Sequence, residues 1–183
     1  MALSASGRRL RAEYRDQAFL DQLGLTLPRR SLDSFWPAGG PQWDALGLAT
    51  SGESVLVEAK AHVPELLSQP TQAGEESARV IARSLSEAAT GLGASPGTDW
   101  SRRFYQYTNR LAHAWFLAAA NGLPLRLAFV HFVGDADMDG PLSRREWEAA
   151  LTVLHEAVGM RGRMPDYVTE IFVDVRPPVP AII

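Results

Sequence analysis

Residues 43–61, WDALGLATSGESVLVEAKA, decide how the chain is read, because their turn chemistry sets a strand register. Thr50-Ser51-Gly52 suits a three-residue hairpin loop, a type I turn closed by glycine in the left-handed conformation. Ala49 then pairs with Glu53, and counting outward places Asp44 opposite Glu58, with Lys60 two positions further along the same face. Opposed Cβ atoms on paired strands lie roughly 4.5–5.5 Å apart, and like charges there repel. Leu46-Gly47-Leu48 and Val55-Leu56-Val57 are apolar on both faces, the mark of strands sandwiched in a layered α/β core, so the carboxylates cannot simply face open water. A divalent cation with oxygen preference would relieve the repulsion, and magnesium commonly binds through one or two carboxylates plus phosphate oxygens.

Lys60 stands out independently of register. It is the only lysine among 18 lysine and arginine residues. A partly buried lysine exchanges protons or acts as a compact point charge on a developing oxyanion, whereas arginine stays protonated. The plainer reading, an ion pair with Glu58 or Asp44, stays open beside it.

Asp44, thirteen intervening residues and then Glu58-Ala59-Lys60 on a hydrophobic hairpin resemble the PD-(D/E)xK, or restriction-endonuclease-like, phosphodiesterase superfamily. Trp43 stands where the family name has proline. The resemblance implies that Asp44 and Glu58 bind magnesium or manganese and that Lys60 positions or activates the attacking water. It therefore implies a metal-dependent nuclease with nucleic acid, DNA in the first instance, as substrate. It further implies an acidic residue of the first helix near the metal, which is Glu13, and a glutamine on a helix after the lysine strand, which is Gln106. Glu13 also reads as an intrahelical partner of Arg9. The tyrosine expected four residues after Gln106 is replaced by Arg110. A catalytically silent member of the superfamily, kept as a binding or regulatory module, is the alternative, since fold does not fix function.

A chain of 183 residues fits one domain, residues 1–183, with a substantial core. The absence of cysteine excludes disulfides and thiolate zinc sites and suits a reducing cytoplasm. The first residues lack the apolar stretch of a signal peptide, and no run approaches the roughly 18 apolar residues of a membrane span, so a soluble cytoplasmic protein with no membrane partner is expected. A formal net charge of −3 excludes a uniformly basic nucleic-acid binder. Local arginine clusters must supply any such footprint, with Arg102, Arg103 and Arg110 as candidate phosphate contacts or plain surface charge.

Residues 7–24 read as an amphipathic helix and 32–36 as a short strand before the Gly39-Gly40 turn. Residues 77–92 and 100–121 are helices, 125–133 a buried central strand, 143–158 a helix and 168–175 a last strand. The proline-rich tail 177–183 ends in apolar residues suited to lie against the body or against a second subunit in a homodimer. This order makes a mixed sheet of about five strands flanked by helices, the restriction-endonuclease-like α/β arrangement that the resemblance implies.

Residues 135–146 support two readings. Asp135, Asp137, Asp139, Gly140, Ser143 and Glu146 fall on the ligand and glycine positions of an EF-hand calcium loop, but a strand rather than a helix precedes them. The other reading is an acidic turn in which Ser143 and Glu146 form the capping box of the next helix.

Overall fold

Strand β1, Ala45–Leu48, folds back antiparallel on β2, Ser54–Lys60, in the register Ala45 with Val57 and Leu48 with Ser54. The loop closes as the turn chemistry demands: Ala49 N donates to Glu53 O at 2.8 Å, Gly52 N to Ala49 O at 2.9 Å, and Gly52 adopts φ +89°. One step beyond the last pair, Asp44 is level with Glu58, and Asp44 N donates to Val57 O at 3.0 Å. The computed structural model describes residues 14–162 and 164–177, and the statements below concern those residues.

Strand β3, Leu125–Val133, lies parallel to β2, and β4, Val168–Asp174, lies parallel to β3, giving the order β1-β2-β3-β4. Parallel neighbours need crossovers, and helices provide them. Helices α2, Glu75–Gly91, and α3, Tyr105–Trp115, connect β2 to β3, while α4, Arg144–Ala157, connects β3 to β4. A short α1, Asp16–Gln22, precedes the hairpin.

Four strands form among the described residues rather than about five. Leu32–Ser34, expected as the start of a strand, is a 3₁₀ turn. The reason lies in the next two residues. Phe35 and Trp36 are both buried, at 0% and 3% exposure, and a strand would send adjacent side chains to opposite faces. The turn carries both into one core, where Phe35 stacks on Phe116 at 4.3 Å and Trp36 meets His113 edge-on at 4.6 Å. Ser34 Oγ supports the bend by donating to Ser31 O at 2.7 Å. Asp33 stays exposed on this turn.

The helices lie on the sheet face that carries Leu56, Glu58, Phe129 and His131. Tyr107 of α3 stacks on Phe129 at 4.2 Å, and Trp147 of α4 packs on His131 at 4.6 Å. On the opposite face, Ile171 and Val173 of β4 are 41% and 37% exposed. On β1, Leu48 is 71% exposed, so the expectation that residues 46–48 are sandwiched in the core does not hold at that edge. Helices α2 and α3 pack tightly at Gly91, where an added Cβ would clash with the Trp115 indole.

Residues 135–146 follow the capping reading. Asp135 Oδ1 accepts from Asp137 N and Met138 N at 3.1 and 3.2 Å. Ser143 is the N-cap of α4, and the Glu146 carboxylate accepts from Leu142 N at 3.2 Å and Ser143 Oγ at 2.8 Å. These carboxylates therefore serve backbone and cap, and among the described residues no group of three or more histidine or acidic side chains could hold a metal ion.

Candidate active site

The site is assembled where the hairpin meets α3. Glu58 is buried at 3% because even-numbered residues of β2 face the helices. A buried carboxylate demands compensation. Lys60 Nζ donates to Glu58 Oε1 at 2.6 Å, and Arg110 Nε donates to Glu58 Oε2 at 2.7 Å. The positive charge that the sequence reading assigned to a metal is thus supplied to Glu58 by two side chains of the protein. Lys60 Nζ also reaches Gln106 Oε1 at 3.3 Å, tying β2 to the first turn of α3.

Arg110 is placed by three further contacts. Its Nη1 donates to Asn109 Oδ1 at 2.7 Å, its Nη2 to Gln42 O at 2.9 Å, and its guanidinium lies 5.3 Å from the ring centroid of Trp43. It is 7% exposed, so the expected role as a phosphate contact is replaced by a buried partner for Glu58. Helical spacing was the available signal: Gln106 and Arg110 are four apart and share a face, so one reaching Lys60 brings the other to Glu58. Because Arg110 holds the Gln42 carbonyl, it also fixes the segment entering Asp44. Tyr14 O accepts from Trp43 N at 3.1 Å, and the Asp16 carboxylate holds Gly39 N and Gly40 N at 3.0 and 2.8 Å. A Cβ at Gly40 would come within 3.1 Å of Asp16 Oδ1, so glycine allows this close approach.

Asp44 is exposed, and its Oδ2 accepts from Ala59 N at 2.8 Å. It is aligned with Glu58 but does not pair with Lys60, which corrects the expected convergence of all three charges. Arg102 is exposed and bonded to Asp99 Oδ2 at 2.8 Å; Arg103 is exposed and accepts Ser68 N on its carbonyl at 2.8 Å. Glu13 lies outside the described residues. His62 Nδ1 stands 3.1 Å from Glu65 Oε2, while the Glu65 carboxylate caps Ala61 N and His62 N at 2.6 and 3.1 Å. That arrangement is structural.

A donor set of two carboxylates on one sheet face suits a magnesium-like ion, which needs only one or two of them beside water and phosphate oxygens. Asp44 Oδ1 makes no hydrogen bond among the described residues, and each bonded oxygen of Glu58 retains acceptor capacity. Acceptor capacity thus remains on both carboxylates, although Glu58 is already neutralised by Lys60 and Arg110.

A second polar cluster, unanticipated from sequence, adjoins the first. Tyr107 OH donates to Glu170 Oε1 at 2.8 Å and accepts from His155 Nε2 at 2.8 Å, while His131 Nε2 bonds Glu170 Oε2. Burial, reinforced by the Glu170 charge, pushes the Tyr107 hydroxyl well above its ordinary pKa. Burial alone would raise Glu170, but hydrogen bonds from His131, His155 and Tyr107 hold it below the usual carboxylate range. His113 is different: burial lowers it to about 3, so it is neutral, and its Nδ1–H donates to Asn109 O at 2.8 Å.

An open cleft of about 510 Å³ runs beside the site, lined in part by Gln42, Gln106 and Arg110. Among the described residues no helix is long and apolar enough to cross a membrane. Comparison with protein-family models, with curated proteins and with solved structures finds no match.

Proposed function

We propose that the protein is a metal-dependent phosphodiesterase of restriction-endonuclease-like fold, acting on nucleic acid at Asp44, Glu58, Lys60 and Gln106. One observation carries this reading: Lys60 Nζ is held between Glu58 Oε1 and Gln106 Oε1, 14% exposed, with Asp44 level with Glu58 on the neighbouring strand. Asp44 and Glu58 would hold magnesium or manganese, which neutralises charge on the scissile phosphate and acidifies water. Glu58 and Gln106 fix the ammonium of Lys60, which orients the attacking water and stabilises negative charge developing on phosphate oxygen. Arg110 keeps the Glu58 carboxylate in place while fastening the backbone that leads to Asp44.

The test is cleavage of DNA and RNA substrates with magnesium or manganese by wild type, Asp44→Ala and Lys60→Ala. Loss in both variants is the expected result, and unchanged cleavage in both rejects the assignment.

A silent binding module is favoured by one observation, that Glu58 is already neutralised by Lys60 and Arg110. Thermal unfolding with and without magnesium separates the readings. A cation-dependent rise in Tm that Asp44→Ala abolishes belongs to the enzyme, and no rise belongs to the module.

A further inference from the structure

The cleft beside the site has an unusual wall for a protein that handles a polyanion. Among the described residues that line it, five side chains are amides, Gln42, Gln69, Gln72, Gln106 and Asn109, and none is a carboxylate. Its two cations among the described residues are Arg15 and Arg110, and Arg110 is spent on Glu58. Arg15 alone is left, donating to Gln42 Oε1 at 3.3 Å and making no ion pair among the described residues. A duplex presents one phosphate charge per roughly 1.7 Å of axis and is gripped through several lysines or arginines at once. The described part of this wall offers one such cation. Exposed Gln69 and Gln72 instead offer neutral donor and acceptor pairs, which match the edges of bases. Gln42 and Gln106, whose oxygens accept from Arg15 and Lys60, offer amide donors, and half-buried Tyr105 adds an aromatic ring of the kind on which exposed bases stack. Base edges and faces are both free only in an unpaired strand.

We infer that this cleft takes an unpaired nucleic-acid strand, gripping bases through amides and the Tyr105 ring, with few phosphate contacts. The inference rests on the nuclease reading for its link to Lys60 but concerns binding, which is measured without turnover. Arg15 positions at most one or two phosphates, and Gln106 joins the strand to the site because its amide oxygen is held by Lys60.

Fluorescence anisotropy of the full chain, without added metal, with a labelled single-stranded DNA, its RNA equivalent and the annealed duplex provides the test. Binding to a single strand at least about tenfold tighter than to the duplex is expected, with a log K against log salt slope between about −0.7 and −1.4. Gln72 is exposed, so Gln72→Glu leaves the fold intact and places a negative charge in the wall. It weakens single-strand binding about fivefold at low salt. Equal or tighter duplex binding, a slope steeper than about −2.8, or unchanged affinity in Gln72→Glu overturns the inference. A magnesium-dependent cleavage assay run in parallel separates the two claims. Cleavage of a preferentially bound duplex sinks this inference and keeps the nuclease, single-strand binding without cleavage does the reverse, and no binding together with no cleavage rejects both.

Discussion

Replacing Arg110 with methionine tests the reasoning about Glu58 most directly. The substitution keeps a long apolar stem but removes the Nε bond to Glu58 at 2.7 Å and the bonds to Asn109 and the Gln42 carbonyl at 2.7 and 2.9 Å. Removing one partner of a buried pair typically costs 3–5 kcal/mol, because the remaining charge is left uncompensated. Lys60 still bonds the other oxygen of Glu58, which places the expected loss at the low end, about 3 kcal/mol. For a chain of this length that lowers Tm by about 6–12 °C. Urea denaturation followed by circular dichroism measures it. Adding Glu58→Gln to Arg110→Met removes the stranded charge, so the double variant should be more stable than Arg110→Met alone. A cost below about 1 kcal/mol, the range of exposed ion pairs, would show that Glu58 does not depend on Arg110 and refute the argument.

Lys60→Arg keeps the charge yet displaces the donor from Gln106, so the protein should fold and bind magnesium while losing about a hundredfold in turnover; circular dichroism, metal titration and cleavage on one preparation check this. For His113, the folded-state pKa of about 3 lies below the unfolded value of 6.5, so its contribution is present above pH 6.5 and is lost as pH falls from there toward 3. Between pH 7 and pH 5 this amounts to about 2 kcal/mol, and His113→Leu should lose that much less over the same interval in urea titrations. Glu146→Gln should leave stability within about 0.5 kcal/mol, because the glutamine amide oxygen can accept from Leu142 N or Ser143 Oγ as the carboxylate does, and calorimetry should show no calcium binding in wild type. Heat of binding abolished by Glu146→Gln would restore the calcium loop.

What the sequence determined by itself is what neighbouring residues decide. The Thr50-Ser51-Gly52 turn closes within the reach of its own backbone, so it sets the hairpin register and brings Asp44 level with Glu58. The apolar run Leu125–Val133 and the Ser143 and Glu146 cap are equally local, and they form as the pattern requires. Tertiary structure decided which charges meet. Arg110 lies 52 residues from Glu58, and it meets that carboxylate because α3 docks on the sheet through Tyr107 and Phe129. The cluster of Tyr107, His131, His155 and Glu170 likewise draws on two strands and two helices distant in sequence. Leu32–Ser34 became a turn for the same reason: the strand propensity of Phe35 and Trp36 yielded to a single core that had room for both rings. Burying Glu58 is costly enough that its compensation had to be found wherever the fold brought a cation within reach, and local sequence contains no record of that distance.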